Sequence, residues 1–349
     1  MKNRLNNIKK SKSYYIALIV ILIAILLISF MVSISLGAVK IDFETTYKVV
    51  FGKLFHQSSL LDGISKAKIS IIWNIRVPRV ILGLVAGAGL ALCGCVMQAT
   101  VNNPISEPYI LGVSAGATFG ATLIIMVGLK IAMSLGAFIG AIIATFLVIF
   151  IASRKTKMTT VRLILAGTVV NALFTAFSNF IISVAGNSDS IMTLKFWTMG
   201  SLANATWDSI WLPLALVLCA CIFFLTQGRI LNTMMIGDDV ATTLGINLSI
   251  YRLVYLVIIA ILTGVLVSNC GVIGFVGLVI PHLSRAIVGS NHKRLIPIVI
   301  ILGSLFLIWA DVLARVLIEN SELPIGIFTA LVGAPFFIYI VARRNYGRD

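Results

Sequence analysis

Apolar runs of about 20 residues recur along the whole chain, and little else about it constrains folding as strongly. A helix needs about that length to cross the hydrocarbon core of a bilayer. A transmembrane β-barrel would instead show short segments of alternating polarity. With 59% hydrophobic and 11% charged residues, the chain carries too little charge to cover a soluble domain of its 349 residues. It reads as an all-α polytopic membrane protein.

The positive charges order the spans. The formal net charge is +15, but Lys and Arg cluster in short loops between apolar runs, as the positive-inside rule requires. No basic stripe with interleaved aromatics lies outside the spans, so nucleic-acid binding is excluded. A basic stretch, residues 1–13, precedes the first apolar run at 14–36, which is too long for a secretory h-region. Further spans are expected at 71–100, 109–128, 131–152, 163–184, 207–226 and 251–270. A short span ending near 289 follows, then spans at 295–317 and 324–342. That makes about ten transmembrane helices in one domain, residues 14–342. Both termini, including the tail 343–349, fall on the cytoplasmic side of the membrane. The charged segment 37–70 lies outside, and the polar segment 227–249 inside. The glycine-rich break at 271–281 leaves the start of the eighth span open.

Several chemistries are absent. No G-x-x-x-x-G-K-[ST] motif occurs, so the chain does not split ATP through a P-loop. Gly83, Gly87, Gly89 and Gly94 lack the strand and spacing of a dinucleotide site and read as small-residue helix packing. Cys93, Cys95, Cys219, Cys221 and Cys270 all sit in apolar runs with no His or carboxylate at ligand spacing. They read as packing residues. No metal, cofactor or catalytic residue is expected. His282, read as a structural residue at a helix start, makes no reactive constellation with Arg285.

Four features remain. Arg76 and Arg79 bracket Pro78 and, three apart, share a helix face. The topology puts them at the outer end of the second span, where ordinary positive charge is disfavoured. Snorkelling to headgroups is the plain reading; a site for external carboxylates is the sharper one, since guanidinium forks suit them. Asp311 and Arg315 have the i,i+4 order of a helix ion pair, and Arg315 stands near enough the outer surface to join the other two arginines. Thr168, Asn171, Thr175 and Ser178 form a polar stripe on the fifth span. They serve either as hydrogen-bonding glue between helices or as a wall of a polar pathway. Gly237, Asp238, Asp239, Ala241, Leu244 and Gly245 make a short capped helix in the inner polar segment. It is either a solvated loop helix or a docking element for a partner.

The motifs, in order, carry a resemblance. Arg76-Val-Pro-Arg79 and the glycine-rich run to Met97-Gln98 come first. Asn103-Pro104-Ile105-Ser106-Glu107-Pro108, Leu111-Gly112-Val113-Ser114-Ala115-Gly116 and Trp197-Thr198-Met199-Gly200-Ser201-Leu202 follow. Then come Gly237-Asp238, Gly274-Phe275-Val276-Gly277, Pro281-His282, Glu322-Leu323-Pro324-Ile325-Gly326 and Gly333-Ala334-Pro335-Phe336. Over about residues 70–342 the chain resembles the permease family of bacterial iron–siderophore, heme and cobalamin ABC importers. The resemblance implies a cobalamin-importer-permease-like fold (a type II importer) and pairing with a second permease subunit. It also implies two cytoplasmic ATPase subunits and an external substrate-binding protein. Arg76, Arg79 and Arg315 match arginines that meet glutamates of the binding protein, and Gly237–Gly245 matches the ATPase-coupling loop. There Asp239 and Val240 replace the Glu and first Ala of the E-A-A-x3-G pattern of other importers. The family's fifth helix borders the pathway, which favours that role for the Thr168–Ser178 stripe. A stand-alone secondary transporter is the alternative; it needs its own coupling-ion site, and Asp311 is the one clearly placed acid in the spans. A membrane enzyme lacks its constellation.

Overall fold

The apolar runs form ten apolar helices in a computed structural model that describes residues 12–37, 39–128, 132–154, 159–185, 187–318 and 321–343. The basic stretch 1–11, Lys155, Lys157, Glu319, Arg344 and Arg348 fall outside the described residues, as does the side chain of Asp239. Among the described residues, seven helices are long and apolar enough to cross a bilayer, and three apolar helices are shorter. No strand occurs among the described residues. The chain is a polytopic α-helical membrane protein.

We number the helices in chain order. α1 is Lys12–Ser35, α2 Phe43–Leu54, α3 Lys66–Thr100, α4 Val113–Val127, α5 Met133–Ser153 and α6 Thr160–Ala185. α7 is Ser188–Thr198, α8 Trp207–Thr226, α9 Gly228–Ile236 and α10 Asp238–Thr243. α11 is Leu248–Cys270, α12 Val276–Val288, α13 His292–Val316 and α14 Ile325–Arg343. Two of these go beyond the expected spans. α2 is capped by Asp42, whose carboxylate accepts from Thr45 N–H at 2.8 Å. α7 is capped by Asn187, which accepts from Ser190 N–H at 2.8 Å. The inner polar segment holds two short helices, α9 and α10, where one was expected.

α3 is the axis of the bundle. Nearly every residue from Val77 to Thr100 is buried, and α13, α11, α12 and α8 all pack on it. Glycine makes the close approach possible. Gly87 lies against the backbone of Gly303 on α13, and Gly94 against that of Gly277 on α12, with no room for a methyl group at either. The glycines thus act in packing, as their lack of a nucleotide-binding pattern implied. α1 is the contrary case. It is peripheral and mostly exposed along its length, as a helix facing lipid tails must be.

Pro78 stands in the first turn of the α-helical stretch of α3, Val77–Thr100. Just ahead of it the chain winds Ile71–Arg76 as a π-helix, a form often found at functional sites. Pro78 has no N–H to return to the preceding turn. The Trp73 carbonyl accepts instead from the indole Nε1–H of Trp207, at 2.9 Å.

Candidate functional site

Three arginines expected to face outward lie together at one end of the bundle, and all are buried. Arg76, Arg79 and Arg315 are each 5% exposed and Asp311 is 1% exposed. Arg76 donates through Nη1 to the carbonyls of Ile34 (2.9 Å) and Ser35 (2.7 Å), and through Nη2 to Val39. Arg315 donates to the carbonyls of Leu36 (2.9 Å) and Ser33 (3.2 Å). Both guanidiniums therefore satisfy the carbonyls that α1 leaves open at its C-terminal end, where the helix dipole also favours a cation. Gly37 leaves room for the Arg76 fork; a Cβ there would stand 2.8 Å from Nη2.

Arg79 turns the other way. Its Nε meets Asp311 Oδ1 at 2.9 Å, and its Nη1 meets both Glu322 carboxylate oxygens at 3.0 and 2.9 Å. Asp311 also pairs with Arg315, Oδ2 to Nε, at 3.0 Å. The i,i+4 ion pair read from the sequence is present, and it bridges two arginines. Three guanidiniums against two carboxylates leave one positive charge in excess. That excess is set against the negative end of α1, which is how a burial so costly for isolated ions is sustained. Glu322 remains half exposed and shares a cavity of about 530 Å³ with Asp189, Trp197, Asn204 and Asn269.

At the opposite end of α3 the capped helix takes the form expected. Gly237 (φ 119°) turns the chain from α9 into α10, and Asp238 opens it. Gly245 (φ 70°) closes it, its N–H bonding Thr242 O at 3.0 Å while Ile246 N–H returns to Ala241 O at 2.9 Å. Ala241 is buried against the bundle. Ile236, Val240, Leu244 and Ile250 are large apolar residues left exposed around it. A polar cleft of about 450 Å³ lies alongside, lined by Asp238, Thr242, Asn247 and Ser249 among others.

The polar stripe on α6 is divided. Thr168 and Thr175 are exposed and Asn171 is partly so, but Ser178 turns into the bundle. Its hydroxyl donates to Phe174 O at 2.9 Å, beside the Phe174–Phe119 ring contact with α4. Thr168 makes the same kind of bond, to Ile164 O at 2.9 Å. His282 lies within α12 rather than at a helix start, its Nδ1 3.0 Å from Leu278 O.

Two polar residues that the sequence reading passed over join these elements. Glu107, in the turn between α3 and α4, reaches the start of α12, where its carboxylate lies near the Phe275 backbone N–H and its Oε1 is buried with no hydrogen-bond partner. Arg252, in the first turns of α11, meets Asp238 with both of its Nη atoms.

The FecCD transport family matches residues 25–343. The chain is 35% identical over 334 residues to the hemin transport system permease protein HmuU of Yersinia pestis, covering 94% of this chain and 96% of that one. It is 34% identical over 339 residues to the iron(3+)-hydroxamate import system permease protein FhuG of Bacillus subtilis, covering 94% and 98%. Among solved structures, an inward-facing conformation of a putative metal-chelate type ABC transporter superposes with a TM-score of 0.80 at 30% identity, covering 94% of this chain and 99% of that one.

Proposed function

The chain belongs to the FecCD transport family and is a permease subunit of an ABC importer, and on that premise we propose that it carries an iron–siderophore complex inward, with heme and cobalamin as the other candidate cargoes. The hydroxamate and hemin names of its relatives support this substrate class. Power comes from two ATPase subunits in separate chains; this chain does no covalent chemistry. The host is a bacterium, the membrane is its cell membrane, and residues 1–13 and 343–349 lie in the cytoplasm.

The observation that carries the reading is the α9–α10 segment. It is a capped six-residue helix with no core of its own, ringed by exposed Val240, Leu244, Ile236 and Ile250. Exposed apolar clusters of this kind mark protein interaction sites. Gly237, Asp238, Asp239, Ala241, Leu244 and Gly245 are the ATPase-coupling residues in this proposal. The arginine end is then external, and the binding protein docks there around Arg76, Arg79 and Arg315. Since these are internally paired in the single chain, an incoming glutamate reaches Arg79 by displacing the half-exposed Glu322. Two copies of the permease, or this one and a paralogue, enclose the pathway, with Thr168, Asn171 and Thr175 on its wall and Ser178 supporting it from behind.

The test is reconstitution. The permease is co-expressed with the ATPase and binding-protein genes that accompany it, placed in liposomes and supplied with ferric hydroxamate, heme or cobalamin. ATP-dependent accumulation of one cargo, dependent on the binding protein, is expected. Accumulation driven by an ion gradient without the ATPase would establish a secondary transporter instead.

A further inference from the structure

Arg252 stands where α10, α3 and α11 meet, and nothing in its sequence position marks it. It lies one turn into α11, on the end of the bundle that holds α10. Its side chain is 13% exposed. Nη2 meets Asp238 Oδ1 at 2.8 Å and Nη1 meets Oδ2 at 3.2 Å, a two-pronged pairing with the first residue of α10. The third donor, Nε, meets the Thr100 carbonyl at 2.9 Å. Thr100 ends α3, so its carbonyl has no partner within the helix. At the next residue, the Val101 carbonyl accepts from the Thr160 hydroxyl in the first turn of α6. The line therefore runs from α10 through one guanidinium to the end of α3, and through one peptide to the start of α6.

We propose that Arg252 is the positioning residue through which displacement of α10 is passed to the adjoining ends of α3 and α6. The inference rests on the reading of α10 as the ATPase-docking helix. The chemistry favours arginine specifically. A guanidinium is a rigid planar fork that holds a carboxylate with two donors while a third points elsewhere, so its partners keep fixed relative positions. A lysine ammonium on a flexible stem keeps the charge but not that geometry. The α9–α10 segment also packs on α3 and α13 through α9, and Asn232 on α9 binds Asn291 at 3.1 Å and His292 at 2.8 Å. Among the described residues, the hydrogen-bonded line from α10 to α6, the helix with the broad exposed face, passes through Arg252.

The experiment uses the assembled complex of permease and ATPase in lipid nanodiscs. Spin labels are placed at Val161→Cys on α6 and Leu225→Cys on α8, both exposed positions near this end. Exposed Cys219 is replaced by Ser. The distance between labels is measured without nucleotide and with ATP plus vanadate. The unaltered complex shows a nucleotide-dependent shift. In Arg252→Gln the shift falls by at least half, while ATPase co-purification and ATP hydrolysis stay within twofold; Arg252→Lys is intermediate. If Arg252→Gln fails to fold, Thr160→Val, which removes the hydroxyl that bonds the Val101 carbonyl and leaves α10 untouched, gives the same loss of shift. A full shift in Arg252→Gln, or in Thr160→Val, overturns the proposal. An unaltered chain that binds no ATPase, or shows no shift, overturns the functional reading itself.

Discussion

Replacing Gly94 by Ala tests the claim that α3 is the axis of the bundle. A methyl group there would stand 2.5 Å from the Gly277 carbonyl carbon, and nearer still to its oxygen and Cα. Every one of these atoms is backbone, so no rotamer change relieves the clash. The α3–α12 seam must open by about 1 Å, which forfeits a quarter to a half of each dispersion contact along it. Overpacking of this kind costs about 1–3 kcal/mol, and a backbone neighbour that cannot rotate away puts it at the upper end. Alanine returns up to about 1 kcal/mol as the better helix former. The net loss is roughly 2 kcal/mol, a fall in melting temperature on the order of 3 °C for a chain of this size. Two controls set the scale. At Gly83 the nearest atom is the flexible Leu202 Cδ1, 3.1 Å away, and at Gly274 nothing lies within 4 Å. Heating the detergent-purified variants and following the surviving monodisperse peak gives the ranking. If Gly94→Ala melts together with Gly83→Ala and Gly274→Ala, the seam does not have the rigidity assigned to it.

Arg76→Glu with Arg79→Glu should abolish uptake while leaving the ATPase bound; normal uptake removes the docking role. Leu244→Asp should weaken ATPase co-purification, as should Gly245→Ala through its positive φ, which costs an L-residue about 1–2 kcal/mol; unchanged co-purification counts against the coupling helix. Burial pushes the Glu107 carboxyl up to about 7, against the pull of the Phe275 N–H. The native state therefore holds this proton over a pH range in which the unfolded chain has released it. The stability it contributes is full below the ordinary glutamate range and is lost as pH rises to about 7. Glu107→Gln should accordingly melt higher than the unaltered chain at pH 8, by a margin that shrinks toward pH 5; a constant margin contradicts this.

The spans were legible because their signal is local: length and apolarity decide them. So were Asp238 and Gly245, whose roles follow from charge at a helix start and positive φ at its end. The partners of Arg76 were not. The sequence shows that its charge is misplaced, but the carbonyls of Ile34 and Ser35 that hold it belong to the backbone and leave no trace in residue identity. Arg79 and Glu322 are 243 residues apart, a separation that no periodicity spans. Arg252 was passed over for the opposite reason. A lone arginine at the end of a span expected to face the cytoplasm already satisfies the positive-inside rule, so it drew no question. α7 was missed although Asn187 and Asp189 are sound start signals, because its apolar residues do not form a clear stripe.

The clamp on α1 also imposes an order on biosynthesis. Arg315 reaches back 279 residues to Leu36 and 282 to Ser33. The first span leaves the ribosome early and spends most of translation with the carbonyls at its end unclaimed by either the Arg315 fork or the counter-charge of Asp311. α3 grips the end of α1 early, through Arg76, but only after α13 has entered the bilayer does the arginine cluster close, so the ninth apolar span completes the fastening of the first.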